Sequence, residues 1–261
     1  MTPQVEIHLM GGYSVRPFGL LVVLGLLFGY FLARARAREQ GIDGHEFGPL
    51  VAWTVGTGLV SAHVIDVVFY HPEELARGPL YLLEFWTSLS SIGGLAGACV
   101  ASLVFAWRSG RPWRQYADVL LQGWVLGWVF GRLGCTLAFD HPGAPTTAFL
   151  AFRYLDGQLR HNLGFYEFLY TLAIMLPATL LLHRARPQAP GGAQTVLAVL
   201  LYAPFRFLLD FLRATDVSGA DPRYGGLTAA QWGFLAFFLL VVPFAAGLRA
   251  VGSGQPEEKP I

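Results

Sequence analysis

The segment LGWVFGRLGCTLAFD, Leu126 to Asp140, decides how this chain is read. It is apolar enough to lie in a membrane, yet Arg132 stands in its second half and it ends on Asp140. A charge at the bilayer centre costs about 2.5–3.5 kcal/mol on insertion scales, so an arginine kept there is expected to face a polar cavity. Gly127, Gly131 and Gly134 flank it. Gly127 and Gly131 form a small-xxx-small pair of the kind that lets helices approach closely.

The rest of the chain has the same character. Of its 261 residues, 54% are hydrophobic and 13% are charged. Soluble domains carry about 25% charged residues, so this balance points to a membrane protein. Seven apolar runs, roughly 18–33, 48–70, 81–107, 116–139, 164–183, 193–212 and 229–248, are separated by polar, Pro- or Gly-containing breaks. Each is near the about 20 residues that a spanning helix needs. The expectation is an all-α membrane protein with seven transmembrane helices. They form one domain, residues 1–250, followed by a disordered tail, residues 251–261. The basic residues Arg34, Arg36 and Arg38 follow the first run instead of preceding it, which marks a retained anchor and not a signal peptide.

Loop charge sets the expected orientation. The breaks after the first, third and fifth runs carry arginines with few acids: Arg34, Arg36, Arg38, then Arg108, Arg111, Arg114, then Arg184, Arg186. The alternate breaks mix arginine with Glu73, Glu74, Asp140, Asp156, Asp216 and Asp221. By the positive-inside rule the first set is cytoplasmic, so the N-terminus lies outside and the C-terminus in the cytoplasm. The net charge of +1, without a basic stripe, argues against a nucleic-acid partner. Two cysteines, Cys99 and Cys135, have neither a disulfide framework nor zinc spacing. P-loop, dinucleotide, HExxH and GxSxG motifs are absent, and neither cofactor nor metal is expected.

On this topology Arg16, His63, Asp66, Arg132, Asp140, Arg206, Asp210 and Arg213 all fall in the outer half of the bilayer. Arg16 and Arg213 are near enough to the interface to snorkel. Arg132, about two turns inside Asp140, is not. Arg206, Asp210 and Arg213 are spaced i, i+4, i+7 and are expected to share a helix face. The guanidinium fork suits phosphate and carboxylate, and phospholipid phosphates abound at that depth. The expected ligand is an anionic phospholipid.

Several segments resemble, in order, the motifs of one family, the prolipoprotein diacylglyceryl transferases of bacterial inner membranes. They are SVRPFGLLVVLG at the first run, SSIGGLAGA at the third, ADVLLQG and GRLGCTLAFD at the fourth, RHNLGFYE, YAPFRFLLDFLR and LTAAQW. The resemblance implies a multi-pass inner-membrane enzyme. Its reaction moves the diacylglyceryl group of phosphatidylglycerol to the lipobox cysteine of a preprolipoprotein and releases glycerol phosphate. It implies Arg132, Arg206, Asp140 and Asp210 as catalytic residues. It implies Arg16, Phe18, Gly93, Gly94, Gly131, Gly134, Cys135 and Arg213 as contacts to the substrates, among membrane lipids. The chain departs from the family where Phe18 replaces the usual tyrosine and Ile92 the usual histidine, sometimes tyrosine. Cys135 replaces an asparagine, Asp140 and Asp210 replace glutamates, and His63 replaces an arginine. If a base is needed, His63, Asp140 and Asp210 are the candidates. Two alternatives stand beside transfer: a paralogue that binds anionic lipid but uses another acceptor, and a non-catalytic lipid-binding membrane protein.

Overall fold

The structure, a computed structural model, describes residues 7–8, 14–15, 17–84, 88–186 and 191–252. Arg16 and the tail beyond residue 252 lie outside the described residues. Long helices dominate. They are numbered here in chain order: first Pro17–Glu39, second Gly44–Phe69, third Ser91–Ser109, fourth Trp113–Ala138. The fifth is Leu163–Ala185, the sixth Ala193–Leu209 and the seventh Ala229–Gly252. Five are long and apolar enough to cross a membrane: the first, second, third and fifth, and the sixth taken through Leu212. The fourth carries Asp118, Gln122 and Arg132 within its 26 residues. The apolar part of the seventh, Ala229–Pro243, is shorter.

Local chemistry explains where helices start. Asp43 caps the second helix by accepting from the Glu46 amide at 2.9 Å. Asn162 caps the fifth, accepting from the Phe165 amide at 3.0 Å. Ser90 caps the third. Such side chains satisfy amides that have no partner inside the helix. The third helix therefore begins at Ser91, later than the run starting at Tyr81, and residues 79–83 form a 3-10 turn instead. SSIGG is a capped helix start and not a break within a helix.

Glycines set the packing. A Cβ on Gly29 would stand 2.5 Å from the Gly123 carbonyl oxygen, and one on Gly25 would stand 2.8 Å from that of Gly127. The first and fourth helices meet backbone to backbone there. Gly93 and Gly97 play the same part between the third helix and Ser61, Ala62 and Ile65 of the second. At one end of the bundle Asp118 accepts from the Gly192 and Thr195 amides at 2.7 and 2.8 Å, pinning the fourth helix to the start of the sixth. At the same end Arg111 pairs with Glu46 at 2.8 Å.

The chain is mostly helical but not all-α, which corrects the sequence expectation. Between the fourth and fifth helices lies a small antiparallel sheet. Its strands are Pro142–Pro145, Ala151–Arg153 and Leu159–Asn162, the last in the middle. These strands are three or four residues long, the first made only of proline, glycine and alanine, and too short for alternation to show. Arg160 of the middle strand is buried and pairs with Asp216 at 2.7 Å, in the loop after the sixth helix. The Ala214 amide donates to the Pro142 carbonyl at 3.1 Å. The sheet thus grips the loop that carries Arg213.

Candidate active site

The fourth, fifth and sixth helices bring three charged side chains to one buried point. Asn162, which caps the fifth helix, also donates from Nδ2 to the Thr136 carbonyl of the fourth at 3.2 Å. A Cβ on Gly164 would stand 3.1 Å from Cys135. This close docking turns Glu167, less than one turn on, toward Arg132. Arg132 Nε lies 3.2 Å from Glu167 Oε1, and Arg206 Nε lies 3.5 Å from Glu167 Oε2. All three side chains are buried.

A second carboxylate extends the cluster. Asp210 Oδ1 accepts from Arg206 Nη1 at 2.6 Å and from Arg213 Nε at 3.0 Å. Its Oδ2 accepts from the Thr228 hydroxyl, at the start of the seventh helix. Arg213 also meets Asp221 at 3.0 Å. The expected shared helix face is only partly realised. The helix tightens to a 3-10 turn at Asp210–Leu212 and Arg213 is extended, yet both arginines still reach Asp210.

Aromatic side chains enclose the pair. The Arg132 guanidinium stands 4.3 Å from the centroid of Trp128, and Trp128 Nε1 donates to the Tyr202 hydroxyl at 2.8 Å. Tyr202 in turn donates to Glu167 Oε1 at 2.5 Å. Arg132 Nε and Arg206 Nε meet Glu167 as ion pairs without hydrogen-bond geometry. One carboxylate thus faces two buried guanidinium groups, whose forks suit a phosphate as a further acceptor.

The residues singled out from the sequence divide by place. Arg132, Arg206, Asp210 and Arg213 come together. Cys135 joins them at the edge, where Arg132 Nη1 is 3.8 Å from its sulfur. Asp140 is partly exposed, one residue past the left-handed Phe139 that ends the fourth helix. Phe18 packs on Gly134, where a Cβ would stand 3.0 Å from its ring. Gly127 packs on the first helix, but a Cβ on Gly131 would meet nothing within 4 Å, so the two are not one packing pair. Gly93 is wedged against the second helix, and Gly94 is in ordinary contact with Ala62. His63 is buried, its ring nitrogens 3.1 Å from the Ser88 and Tyr81 carbonyls. Glu167 and Tyr202 were not singled out from the sequence. For Glu167 the signal was present, an acid at membrane depth in the same half as the arginines. Tyr202 gave none.

Outside the membrane helices, hydrogen bonds from Arg160 hold the Asp216 carboxyl below the usual carboxylate range. The Gln158 amide, followed by Arg160, does the same for Asp156. Both acids are thus ionised where the sheet grips the loop.

Known proteins have similar sequences. Residues 4–246 match the family described as prolipoprotein diacylglyceryl transferase. A phosphatidylglycerol–prolipoprotein diacylglyceryl transferase of Chromohalobacter salexigens is 30% identical over 239 residues, which is 90% of this chain and 86% of that protein. The same-named protein of Nitratidesulfovibrio vulgaris is 29% identical over 85% of each chain. That of Aeromonas hydrophila is 30% identical over 79% of this chain and 77% of its own.

Proposed function

The chain belongs to the prolipoprotein diacylglyceryl transferase family, and from that membership we propose that it transfers the diacylglyceryl group of phosphatidylglycerol to the lipobox cysteine of preprolipoproteins. It does so as a seven-span protein of the bacterial inner membrane, with its N-terminus outside and its C-terminus in the cytoplasm. The observation that carries the reading is the convergence of two buried arginines, Arg132 and Arg206, from different helices, on the single carboxylate of Glu167.

In this reading the phosphate of phosphatidylglycerol binds the two guanidinium groups. The acceptor thiol gives up its proton to water on the open side, and the thiolate is the nucleophile. A sulfur electron pair forms the bond to the glyceryl carbon. The carbon–oxygen bond to phosphate breaks, its electron pair stays on oxygen, and glycerol phosphate leaves. Arg132 and Arg206 offset the charge that grows on the departing phosphate, which is where fixed donors accelerate a reaction most. Glu167, held by Tyr202, keeps the two guanidinium groups apart and oriented. Asp210 does this for Arg206 and Arg213. Asp140 stands at the open end, where a carboxylate meets the acceptor without repelling the phosphate.

The test uses purified protein in phosphatidylglycerol micelles with a synthetic lipobox-cysteine peptide. Mass spectrometry should find the diacylglyceryl thioether, and the product should vanish with Arg132→Ala. An intact protein that retains phosphatidylglycerol but forms no thioether would refute transfer.

A further inference from the structure

The end of the fourth helix carries a second constellation, of which the transfer reading uses only Asp140. Phe139 has φ 55°, the one positive φ at a non-glycine among the described residues. Packing holds it there: its ring meets those of Phe152 and Tyr154 edge to face, at 6.0 and 5.2 Å between centroids. A left-handed residue at a helix end reverses the chain. The reversal folds Asp140 and His141 back over Cys135, one turn earlier. The Cys135 sulfur, an Asp140 carboxylate oxygen and a His141 ring nitrogen all lie within 4.8 Å of one another. His141 Nδ1 is buried without a hydrogen bond, 3.5 Å from Asp140 Oδ1. The His141 backbone is itself fixed, its carbonyl accepting from the Leu163 amide at 3.1 Å.

We propose that Cys135, Asp140 and His141 form a binding site for a thiophilic divalent cation of the Zn²⁺ class. A thiolate, an imidazole and a carboxylate suit such an ion, and three protein ligands leave a fourth position open. Zinc bonds of about 2.0–2.3 Å require ligand atoms about 3.3–3.5 Å apart at tetrahedral angles. Asp140 is partly exposed, so its side chain can close the remaining distance. Charge also balances. Binding releases the thiol proton to solvent, and thiolate plus carboxylate neutralise the ion, so no net charge is added beside Arg132. The spacing Cys-x4-Asp-His has no zinc signature in sequence; the Phe139 turn creates the site.

Binding is read without turnover, so the result is independent of the transferase reading. Tag-free full-length protein in micelles is titrated with Co²⁺, and the thiolate-to-cobalt charge-transfer band is recorded in the near ultraviolet. One equivalent should give the band, and Zn²⁺ should displace it. Cys99→Ser should keep it, Cys135→Ser should abolish it, and His141→Ala should weaken binding about tenfold or more. No band, or a band that survives Cys135→Ser, overturns the proposal. If Cys135→Ser does not fold, the decision passes to His141→Ala, where unchanged affinity overturns it.

Discussion

Arg132 and Arg206 share one carboxylate: Glu167 presents Oε1 to the first at 3.2 Å and Oε2 to the second at 3.5 Å. Two buried cations would repel each other without it. Removing one partner of a buried ion pair costs about 3–5 kcal/mol, since the other charge stays buried and uncompensated. Glu167→Ala should therefore unfold several degrees below wild type in micelles. Phosphatidylglycerol supplies a replacement anion, so it should raise the midpoint of this variant more than that of wild type. Equal shifts in the two proteins would show that the lipid phosphate does not reach these arginines.

Arg132 tests geometry apart from charge. Its guanidinium lies against Trp128 and reaches both Glu167 and Cys135. A lysine keeps the charge but loses the planar fork. Removing a preorganised donor from a site of developing charge costs about 10²–10³ in turnover. Arg132→Lys should lose turnover on that scale while still inserting and folding. Turnover near wild type would mean that a point charge suffices.

Much of this site could be read from the sequence, because charge in an apolar run is rare and expensive. Arg132, Arg206, Asp210 and Arg213 stood out for that reason, and they come together, Arg132 by way of Glu167. Glu167 has the same property but sits at the edge of its run, where an acid looks interfacial. Its role depends on how Asn162 and Gly164 dock the fifth helix on the fourth, a tertiary contact with no local pattern. Ile92, a departure from the resembled motif, has a packing role in the structure. It is buried in the cluster containing Tyr202 and Phe234, in the space that a side chain at Gly233 would need. The sheet after the fourth helix was hidden by the brevity of its strands. The Cys135, Asp140 and His141 cluster was hidden by the unusual backbone of Phe139.

Gly29 and Gly131 should respond differently to the same change. A methyl on Gly29 would press on the Gly123 backbone, whereas one on Gly131 would meet open space. Overpacking a tight contact costs about 1–3 kcal/mol. A change that touches nothing stays within about 0.5 kcal/mol. Thermal unfolding in micelles should show Gly29→Ala clearly destabilised and Gly131→Ala close to wild type. Loss of lipid binding in a stable Gly131→Ala would add that the open space admits the substrate.

The grip of the sheet on the Arg213 loop should depend on acid. Asp216 bonds to Arg160 through both carboxylate oxygens, at 2.9 and 2.7 Å, and is held below its ordinary range by those bonds. Unfolded aspartate titrates at about 3.9. A group with a lowered folded value stabilises the fold fully above the unfolded value, and the contribution fades as pH falls through the folded one. The tether is therefore intact at neutral pH and released only below about pH 4. Asp216→Asn should release it at every pH. Hydrogen exchange of the 159–162 strand and the 213–221 loop in this variant at pH 7 should be faster than in wild type, after correction for intrinsic rates. It should also lose the acid-induced rise seen in wild type. Because Arg213 leaves the same loop to reach Asp210, the variant should need more phosphatidylglycerol for half-maximal turnover. Normal exchange at pH 7 would show that the backbone contact between Pro142 and Ala214 holds the loop without the ion pair.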